Sequence, residues 1–593
     1  MKKKSSLDKP IITLRNTLRE YYEAIILEKF EYAYDQDLEV QLWKNCFYKV
    51  IEDFRKRIRK SSGKTGSDEV VKICELFYSF LCMASKFYEE LNSKLQNKYS
   101  LLLDGTVDIS FIDLDQSSVQ FKAYVSCHRS LIYMGDLYRY HRDLYGHPNQ
   151  KDWILASIYY SKALYLYSDN GNPHNQMAVL ATYAEEDIKA LYRYYRSLLV
   201  LIPFPTAQDN LSVLFDKNKS KLDNLNTNIL NKNRFSLLFI RCTGMYFKGD
   251  VDLEELKLIE CDLLNLISNL MENKDLEEEI LLYLLIICIY NVELYIPDVD
   301  SPYLPECIDF LLSYAEKLLY FTIHRIEDPI YLNVLSIFLD YLSAKESIRL
   351  FLDNRPSFWT LFVNLLNTFQ IKNQEPVIED SVYNNITLQE EREVYGFLPL
   401  RNLYKLTNNL SNNSLSSCNA KRILKLILFA IKAKNTNYIY HSGEYWSISI
   451  TDSKTTLNNS NNNNNSISMV DSSMDKEEEE EEEEEVEVAM EDKKNVTTDI
   501  SSEEEMEEEV ILFKPSTPTS TSTNFTSNVL WNSNSNQYKN SVVYNQNTNK
   551  GPLPWLPKGT DSNVTCINPS VLFNVPNASQ RLKTQTKNPF VSM

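Results

Sequence analysis

The sequence predicts an all-α protein that ends in a long disordered tail. Glycine occurs only 12 times and proline 20 times in 593 residues, whereas tyrosine occurs 38 times. Few glycines, together with long stretches of apolar residues at three- and four-residue steps, favour helices over a β-sandwich or barrel. The chain is 43% hydrophobic, enough for a sizeable core, and its length predicts two or three regions.

The N-terminal part predicts four long helices. Pro10 fits a first-turn position, and IITLRNTLREYYEAIILEKF follows it with helical apolar spacing. The second stretch is LEVQLWKNCFYKVIEDFRKRIRK (Leu38–Lys60). Ser67 is placed to cap a third helix that extends to about residue 98, and a fourth spans about 116–144. Long antiparallel helices with short links form a bundle or a solenoid.

An internal repeat follows these helices. ASIYYSKALYLYS begins at Ala156 and ALYRYYRSLLVLI begins at Ala190, an offset of 34 residues that aligns Tyr160 with Tyr194. A helix-turn-helix unit of this period is typical of tetratricopeptide repeats. Two such units do not stack stably alone, so we expect them to continue the neighbouring helices.

The remaining helices complete a second domain. We predict an N-terminal domain over residues 10–220, a helical-hairpin domain over 221–440 and a tail over 441–593. The segment EREVYGFLPLRNL (Glu391–Leu403) leads to an amphipathic closing helix. The later helical stretches are predicted at about 234–246, 252–273, 276–296, 303–324, 329–344, 357–370 and 420–434.

The tail carries most of the negative charge of the chain. Of the formal net charge of −19, residues 441–593 contribute −13, from 24 acidic and 11 basic residues. The tail contains the run NNSNNNNNS and nine consecutive glutamates, Glu477–Glu485. Such segments cannot bury enough apolar surface to offset chain entropy, so we predict disorder. The short islands ILFKP and GPLPWLP (Gly551–Pro557) are either peptide docking motifs or linker residues.

Several functional classes are not predicted. The ten cysteines are scattered without a C-x-x-C pair, so neither zinc nor a disulfide framework is expected, and we predict no cofactor. No nucleotide-binding, serine-hydrolase or zinc-protease motif occurs, so we predict no catalysis and no small-molecule substrate. The most apolar run, Ile280–Tyr290, is too short to span a bilayer, and the N-terminus does not resemble a signal peptide. We therefore expect a cytoplasmic and nuclear protein.

One stretch combines basic and aromatic residues in an unusual order. YMGDLYRYHRD places Arg139 beside Tyr140 and three residues before Arg142, so that the two arginines share a helix face. A guanidinium with a neighbouring phenol hydroxyl is a good phosphate clamp. Arg139 has an alternative role, which is to pair with Asp136 or Asp143 on its own helix.

A second source of positive charge lies on the second helix. Lys49 and Lys56 are seven residues apart and therefore share a face, with Arg55 beside them. A phosphate near −2 needs two or three cations, so packing of this helix against the one that carries Arg139 would form a basic pocket. Alternatively, Lys49 covers the Trp43 face. RKRIRK (Arg55–Lys60) is itself either a basic helix end favoured by the helix dipole, a nuclear-import signal or an RNA contact.

Longer motifs carry a family resemblance. GDLYRY is similar to the GD-x-x-R-Y stretch of 14-3-3 proteins. The wider block, which includes NGNPHNQMAVLA and PFPTA, resembles the Est-one/SMG-seven family, as does YGFLPL (Tyr395–Leu400). That family comprises telomerase-regulating proteins and adaptors of nonsense-mediated mRNA decay. The resemblance covers roughly residues 15–435.

The resemblance implies a fold and a binding site. It implies a 14-3-3-like, tetratricopeptide-containing domain that binds phosphoserine peptides, followed by a helical-hairpin domain of nucleic-acid-binding type. Arg139 and Tyr140 match the phosphate-binding pair, and Lys49 matches the pocket lysine. Arg55 and Lys56 both lie near the second basic position. Asn175 either holds a peptide backbone through its amide or serves the turn between repeat helices.

The resemblance also implies partners. We expect a non-catalytic adaptor that binds a phosphorylated UPF-type helicase and recruits mRNA decay factors. The alternative is a telomerase subunit that binds telomerase RNA or telomeric single-stranded DNA. A third interpretation is a plain repeat scaffold without a phosphate pocket. No membrane partner is expected.

Overall fold

The computed structural model describes residues 7–61, 68–105, 107–141, 150–223, 231–249, 252–325, 330–370, 386–404, 415–436, 438–443 and 445–448. Most of these residues are helical, which confirms the all-α prediction. The first ten helices are α1 (Lys9–Glu28), α2 (Phe30–Asp35), α3 (Leu38–Leu42), α4 (Lys49–Ser61), α5 (Asp68–Tyr99), α6 (Val119–Tyr140), α7 (Gln150–Leu166), α8 (Asn172–Tyr183), α9 (Asp187–Leu198) and α10 (Thr206–Asp223). The others are α11 (Asn231–Lys248), α12 (Leu253–Glu272), α13 (Glu278–Tyr295), α14 (Tyr303–His324), α15 (Ile330–Ala344), α16 (Glu346–Arg349), α17 (Pro356–Thr368), α18 (Gln389–Glu393) and α19 (Leu415–Asn435).

The second predicted helix has a more complex structure than its apolar spacing indicates. A π-helical segment, Trp43–Tyr48, joins α3 to α4 within one helical stretch. Trp43 lies in this segment, and its ring stacks on that of Tyr133 in α6 with centroids 4.4 Å apart. The wider turn therefore accompanies close packing of α6 against the π-helical segment itself.

Helix α6 begins and ends within a few residues of its prediction. Ser118 caps its N-terminus, since its hydroxyl accepts a hydrogen bond from the backbone N–H of Phe121 at 3.1 Å. The helix ends at Tyr140. The predicted continuation to about residue 144 and the predicted cap at Ser67 lie outside the described residues.

Helix α10 is not among the predicted stretches. It begins at Thr206, within PFPTAQDNL, and extends to Asp223. Leu211, Leu214 and Phe215 are buried in its packing with α9 and α11. The proline and polar residues at its start make this helix resemble a link in sequence, whereas tertiary burial stabilises it.

The apolar core has three parts. One lies among α1–α6, and a small one joins α6, α7 and α8 around Tyr160. The largest includes side chains from α8 to the C-terminal end of the described chain. The boundary between two domains near residue 220 stays a prediction.

The described chain ends in a short β-hairpin. Strand β1 (Ile439–His441) pairs antiparallel with β2 (Trp446–Ile448). The side chain of Asn367 in α17 holds Trp446, because it accepts from the Trp446 N–H at 2.8 Å and donates to the Trp446 carbonyl at 3.1 Å. Strand β2 thus lies beyond residue 441, where the tail was predicted to begin, because a buried tryptophan anchors it. The remaining tail, including both apolar islands, lies outside the described residues.

The described residues contain neither a helix that could span a membrane nor a cluster of side chains that could hold a metal ion. None of the helices there is both apolar and long enough to cross a bilayer. No group of three or more His, Cys, Asp or Glu side chains in the described ranges is arranged to hold a metal ion.

Candidate functional site

The GDLYRY stretch forms the contact between α6 and α7. Asp136 Oδ1 accepts hydrogen bonds from the Tyr160 hydroxyl at 2.6 Å and from Arg139 Nη2 at 3.1 Å. Arg139 Nε in turn donates to the Tyr160 hydroxyl oxygen at 3.3 Å. Gly135 makes this approach possible, since a Cβ there would lie 2.3 Å from Cε1 of Tyr160. The Gly-Asp pair therefore serves helix packing as well as the orientation of Arg139.

The pairing of Arg139 with Asp136 is the alternative role that the sequence left open. Only 5% of the Arg139 surface is exposed. Burial, and after it the Asp136 carboxylate, raises the pKa of Tyr160 well above its usual value, so its hydroxyl stays protonated and donates to Asp136. A ligand that reaches Arg139 must therefore compete with an internal partner.

Tyr140 brings together two of the predicted basic positions. The guanidinium carbon of Arg139 lies 4.9 Å from the centroid of the Tyr140 ring, and that of Arg55 in α4 lies 5.1 Å from it. Two cations 84 positions apart thus contact one buried aromatic ring. Arg55 Nη1 also pairs with Glu52 on its own helix at 2.7 Å. This set of Arg55, Arg139 and Tyr140 is called the basic-aromatic cluster below.

Lys49 and Lys56 lie on a different face of α4. At about 100° per residue, both point roughly 100–120° away from the direction of Arg55. Both are exposed. Lys49 Nζ donates to Asn45 Oδ1 at 3.0 Å, and Asn45 donates to the hydroxyl of Tyr22 in α1 at 3.3 Å. The hydrogen bonds of Lys49 therefore lead towards α1, whereas Arg55 contacts α6.

Two further predicted residues lie apart from the cluster. Arg142 is outside the described residues. Asn175 lies in α8 and is 3% exposed, and its side-chain oxygen accepts from Asn210 Nδ2 of α10 at 3.1 Å. Its amide thus takes part in packing between repeat helices, and its role in holding a peptide stays a prediction.

A second set of arginines and tyrosines was not predicted to interact. The segment 386–404, called the clasp below, packs on helix α9. Arg196 of α9 is fully buried and donates to the carbonyl oxygens of Glu393 and Tyr395, at 2.6 Å each. Arg193 pairs with the Glu393 carboxylate at 2.6 Å. In the sequence, YRYYRS shows only helical spacing and does not reveal an acceptor 200 residues away.

The end of the clasp reaches the loop before α6. Arg401 forms a bidentate pair with Asp169, with N–O distances of 2.6 and 2.7 Å, and donates to the Ser110 carbonyl at 3.0 Å. Gly396 has φ +75°, and a Cβ there would lie 2.9 Å from the Ser168 carbonyl oxygen. A glycine is therefore required in YGFLPL both by the left-handed backbone and by the close approach.

The comparisons with known proteins cover both regions. A family model described as "Telomerase activating protein Est1" matches residues 37–144, and one described as "Est1 DNA/RNA binding domain" matches residues 156–403. The first match contains the basic-aromatic cluster and the second contains most of the clasp. The chain belongs to the Est1/SMG7 family.

The curated relatives within the Est1/SMG7 family have different names. The nonsense-mediated mRNA decay factor SMG7 of Arabidopsis thaliana is 38% identical over 244 residues, which is 38% of this chain and 23% of that protein. The Danio rerio SMG7 is 26% identical over 419 residues, or 66% of this chain and 34% of that protein. The Danio rerio telomerase-binding protein EST1A is 33% identical over 35% of this chain and 13% of its own length. The matches thus span about a third or less of these Est1/SMG7 relatives.

A solved structure from the Est1/SMG7 family shares the fold. The structure entitled "Crystal structure of Est1 and Cdc13" superposes with a TM-score of 0.59 and 16% identity. The match covers 75% of this chain and 97% of that chain. It supports the helical architecture predicted from the resemblance.

Proposed function

We propose that this chain is a non-catalytic adaptor that binds a phosphorylated serine or threonine segment along α4 and α6. In this proposal the segment belongs to a UPF-type helicase, and the chain recruits mRNA decay factors to it in nonsense-mediated mRNA decay. Relatives named as decay factors SMG7 and SMG5 support the process. The role places the chain in the cytoplasm and the nucleus, which fluorescence microscopy of the tagged protein tests.

One observation carries the binding proposal. Arg55 and Arg139, from two separate helices, contact the ring of Tyr140, so the helices meet at a point with two guanidinium groups. Lys49 and Lys56 add exposed ammonium groups on another face of the same helix, about 100–120° from the direction of Arg55. A phosphate near −2 requires two or three cations, and this junction offers that number.

The pairing of the two arginines suggests how a phosphate binds. Arg55 already bonds Glu52, and Arg139 already bonds Asp136, so a phosphate exchanges with a carboxylate rather than filling an empty site. The Arg55 side chain is 11% exposed against 5% for Arg139. Arg55 is therefore the proposed first contact at the junction, the lysines are the proposed contacts on the other face of α4, and Arg139 supports the position of Tyr140.

Binding of paired peptides tests the proposal. A phosphoserine peptide and its unphosphorylated twin are titrated against the full chain by isothermal calorimetry. We expect the phosphorylated peptide to bind at least tenfold more tightly, and we expect Arg55→Gln combined with Lys49→Gln to remove most of that preference.

Arg57→Gln is the matched control for this experiment. Arg57 is also on α4 and pairs with Asp53 at 3.5 Å, as Arg55 pairs with Glu52. We expect this control to leave the preference within about twofold, since long-range charge alone is screened. Equal affinity of the wild-type chain for both peptides would refute the proposal and leave the plain repeat scaffold.

A second candidate function is supported by one comparison. The model that matches residues 156–403 is described as a DNA/RNA binding domain, and relatives include telomerase-binding EST1A. The candidate is a telomerase subunit that binds telomerase RNA or telomeric single-stranded DNA. It predicts an affinity for such strands that falls steeply with salt.

Two arginines of α11, one exposed and one half-buried, give this candidate a specific test. Arg234 pairs with Asp262, and Arg241 pairs with Glu255, at 3.1 and 2.6 Å. We expect fluorescence anisotropy to show salt-dependent binding, weakened by Arg234→Gln with Arg241→Gln, if the strands bind there. Telomere length and a reporter with a premature stop codon, measured in cells without the protein, then separate the two functions.

A further inference from the structure

Glu260 of α12 is a buried carboxyl group that lacks a cationic partner. Only 7% of its surface is exposed, and its Oε1 atom accepts a hydrogen bond from the Tyr246 hydroxyl of α11. Within the described ranges, no Lys, Arg or His side chain forms an ion pair with it. A buried carboxylate without a cation is costly, so burial favours the neutral acid. Glu260 thus differs from the clasp carboxylates Glu390 and Glu391, each of which pairs with a cation of α19.

The side chains that face Glu260 supply little positive charge. They are Tyr246 and Cys242 of α11, Lys257 of its own helix, Cys288 of α13, and Glu306, Cys307 and Asp309 of α14. Burial, and after it Glu260, raises the pKa of each of the three thiols, so they stay protonated and neutral. Lys257 already pairs with Glu306 at 3.2 Å. Burial raises the pKa of Glu260 to about 7, against the opposing hydrogen bond from Tyr246, and the acids of α14 add to the increase.

The two ends of α12 are held in different ways. At the C-terminal end, the Met271 carbonyl accepts hydrogen bonds from Arg325 at 2.9 Å and from the Tyr331 hydroxyl at 3.1 Å. Along the rest of the helix, surface ion pairs join it to its neighbours: Arg241 with Glu255, Lys257 with Glu306, and Arg234 with Asp262. Such pairs contribute little to stability. The part of α12 around Glu260 therefore depends mainly on its buried face, whereas the C-terminal end has buried anchors.

We propose that α12 is a pH-responsive element whose N-terminal part loosens from α11 and α14 when Glu260 loses its proton. An outward movement of this part brings the new negative charge to water and away from Glu306 and Asp309. The C-terminal end stays attached at the Met271 carbonyl, so the movement is a local opening and not an unfolding of the domain.

The direction of the response follows from the pKa of Glu260. Its value of about 7 in the closed packing lies above the ordinary value of 4.5, so the closed form binds the proton more tightly than the opened form does. The closed form therefore has its full advantage below about pH 4.5 and loses it as the pH rises to about 7. Each pH unit within this window changes the equilibrium by at most about tenfold.

The opening also releases two arginines of α11. Arg241 and Arg234 pair with Glu255 and Asp262 of α12, and these carboxylates move away with the helix. The guanidinium groups are then available to phosphates of a nucleic-acid strand. This consequence rests on the second candidate function, which uses the same two arginines.

Hydrogen–deuterium exchange of the full chain tests the opening without any ligand. Protection factors, which remove the intrinsic pH dependence of exchange, are measured at pH 5.5 and 7.5 for peptides from residues 253–262. We expect the protection of these peptides to fall about tenfold over this range. Peptides from α15 serve as the internal reference and should change less than about twofold. Protection of residues 253–262 that does not depend on pH would overturn the proposal.

Two variants identify Glu260 as the titrating group. Glu260→Gln keeps a hydrogen-bond acceptor for Tyr246 but has no proton to lose, so its protection should be independent of pH. Glu272→Gln changes an exposed carboxyl group on the same helix and should keep the pH dependence of the wild type. A pH dependence that persists in Glu260→Gln would overturn the proposal.

Tyr246→Phe provides an independent variant that leaves Glu260 in place. It removes the hydrogen bond that favours the carboxylate, so the midpoint of the pH dependence should move to higher pH. A midpoint that stays the same or moves to lower pH would contradict the role of Glu260.

Strand binding separates this inference from the second candidate function. Fluorescence anisotropy with a labelled single-stranded DNA of telomeric repeats should show an affinity that rises about threefold from pH 5.5 to 7.5, and no rise in Glu260→Gln. A loss of protection without strand binding would support the pH response and remove only the candidate function. Strand binding with protection that does not change would remove only the pH response.

Discussion

The basic-aromatic cluster and the clasp use the same residue types for different ends. Each places two arginines against tyrosine rings and carboxylates. In the clasp, Arg196 is fully buried and its acceptors are backbone carbonyls of a segment about 200 residues away. In the cluster, the carboxylate acceptors Glu52 and Asp136 lie within three residues of their arginines, and Arg139 also donates to the Tyr160 hydroxyl of α7.

The difference shows which arginines are able to change partners. A guanidinium held by backbone carbonyls has partners that cannot move away without unfolding the segment. A guanidinium held by a carboxylate on its own helix can exchange that carboxylate for a more highly charged anion such as a phosphate, because only side chains need to rotate. We therefore expect clasp substitutions to affect stability and cluster substitutions to affect binding.

The largest expected effect is on stability and comes from the clasp. Arg196→Met leaves the Glu393 and Tyr395 carbonyls and the Tyr192 hydroxyl without their buried donor. We expect the free energy of unfolding to fall by about 3–5 kcal/mol, measured by urea denaturation.

Lys189→Met is the control on the same helix. Lys189 is 38% exposed and pairs only at the surface with Glu186, so its loss should cost less than about 1 kcal/mol. Similar losses for the two variants would show that the clasp is not held by Arg196.

The next effect tests whether the cluster depends on its packing glycine. Gly135→Ala places a Cβ 2.3 Å from Cε1 of Tyr160, and the ring must move away from Asp136 and Arg139. We expect a loss of about 2–3 kcal/mol in urea denaturation.

A double-mutant cycle checks the cause of that loss. Tyr160→Ala provides room for the new methyl group, so Gly135→Ala should cost much less in that background. Simple additivity of the two changes would contradict the proposed clash.

A pH-dependent effect is expected at the clasp carboxylate Glu391. Burial by itself would raise the pKa of this carboxyl, but Lys425 and Lys421 together outweigh burial, so the pKa is lowered. A lowered pKa means that the ion pairs stabilise the fold above the ordinary value of 4.5 and that this contribution disappears as the pH falls through the folded-state value.

We therefore expect Glu391→Gln to destabilise the chain by about 2 kcal/mol at pH 7 and by less below pH 4. Urea denaturation at both pH values measures the change. A cost that is the same at both would mean that charge at Glu391 is not responsible.

The smallest expected effect tests whether the Glu52 carboxylate competes with a phosphate for Arg55. Glu52→Gln removes the carboxylate that competes for Arg55, so phosphopeptide affinity should rise about threefold. Asp53→Asn, which removes the partner of Arg57, should change affinity less. Calorimetric titration of both variants against one phosphopeptide distinguishes them, and weaker binding to Glu52→Gln would contradict the exchange of partners.

Much of the fold was accessible from sequence, because helical spacing is local. Apolar periodicity identified α1, α5, α6 and the repeat helices. The start of α10 is polar and contains Pro205, so packing rather than local spacing determines it. Strand β2 depends on the contact between Trp446 and Asn367, 79 positions apart, which no local pattern reveals.

Part of the candidate site could also be predicted from the sequence, because its motif is local. The GDLYRY motif indicates Arg139 and Tyr140, and the run of basic residues around Arg55 indicates its helix as a second source of cations. The structure brings Arg55, Arg139 and Tyr140 together. Their meeting at one ring depends on how α4 packs on α6, and the burial of Arg139 depends on Tyr160 of a third helix. The arginines of α9 share the same local appearance, and only the distant clasp distinguishes them.

The clasp also has a consequence for synthesis of the chain on the ribosome. Arg196 is translated 199 residues before Tyr395, one of its two main-chain acceptors. At a synthesis rate of about 5–20 residues per second, about 10–40 s pass between the translation of Arg196 and that of this acceptor. During that interval the apolar side chains of α9 lack the clasp residues Val394, Phe397 and Leu400 that share their core, so the exposed apolar surface makes the nascent repeat helices a candidate substrate for chaperones.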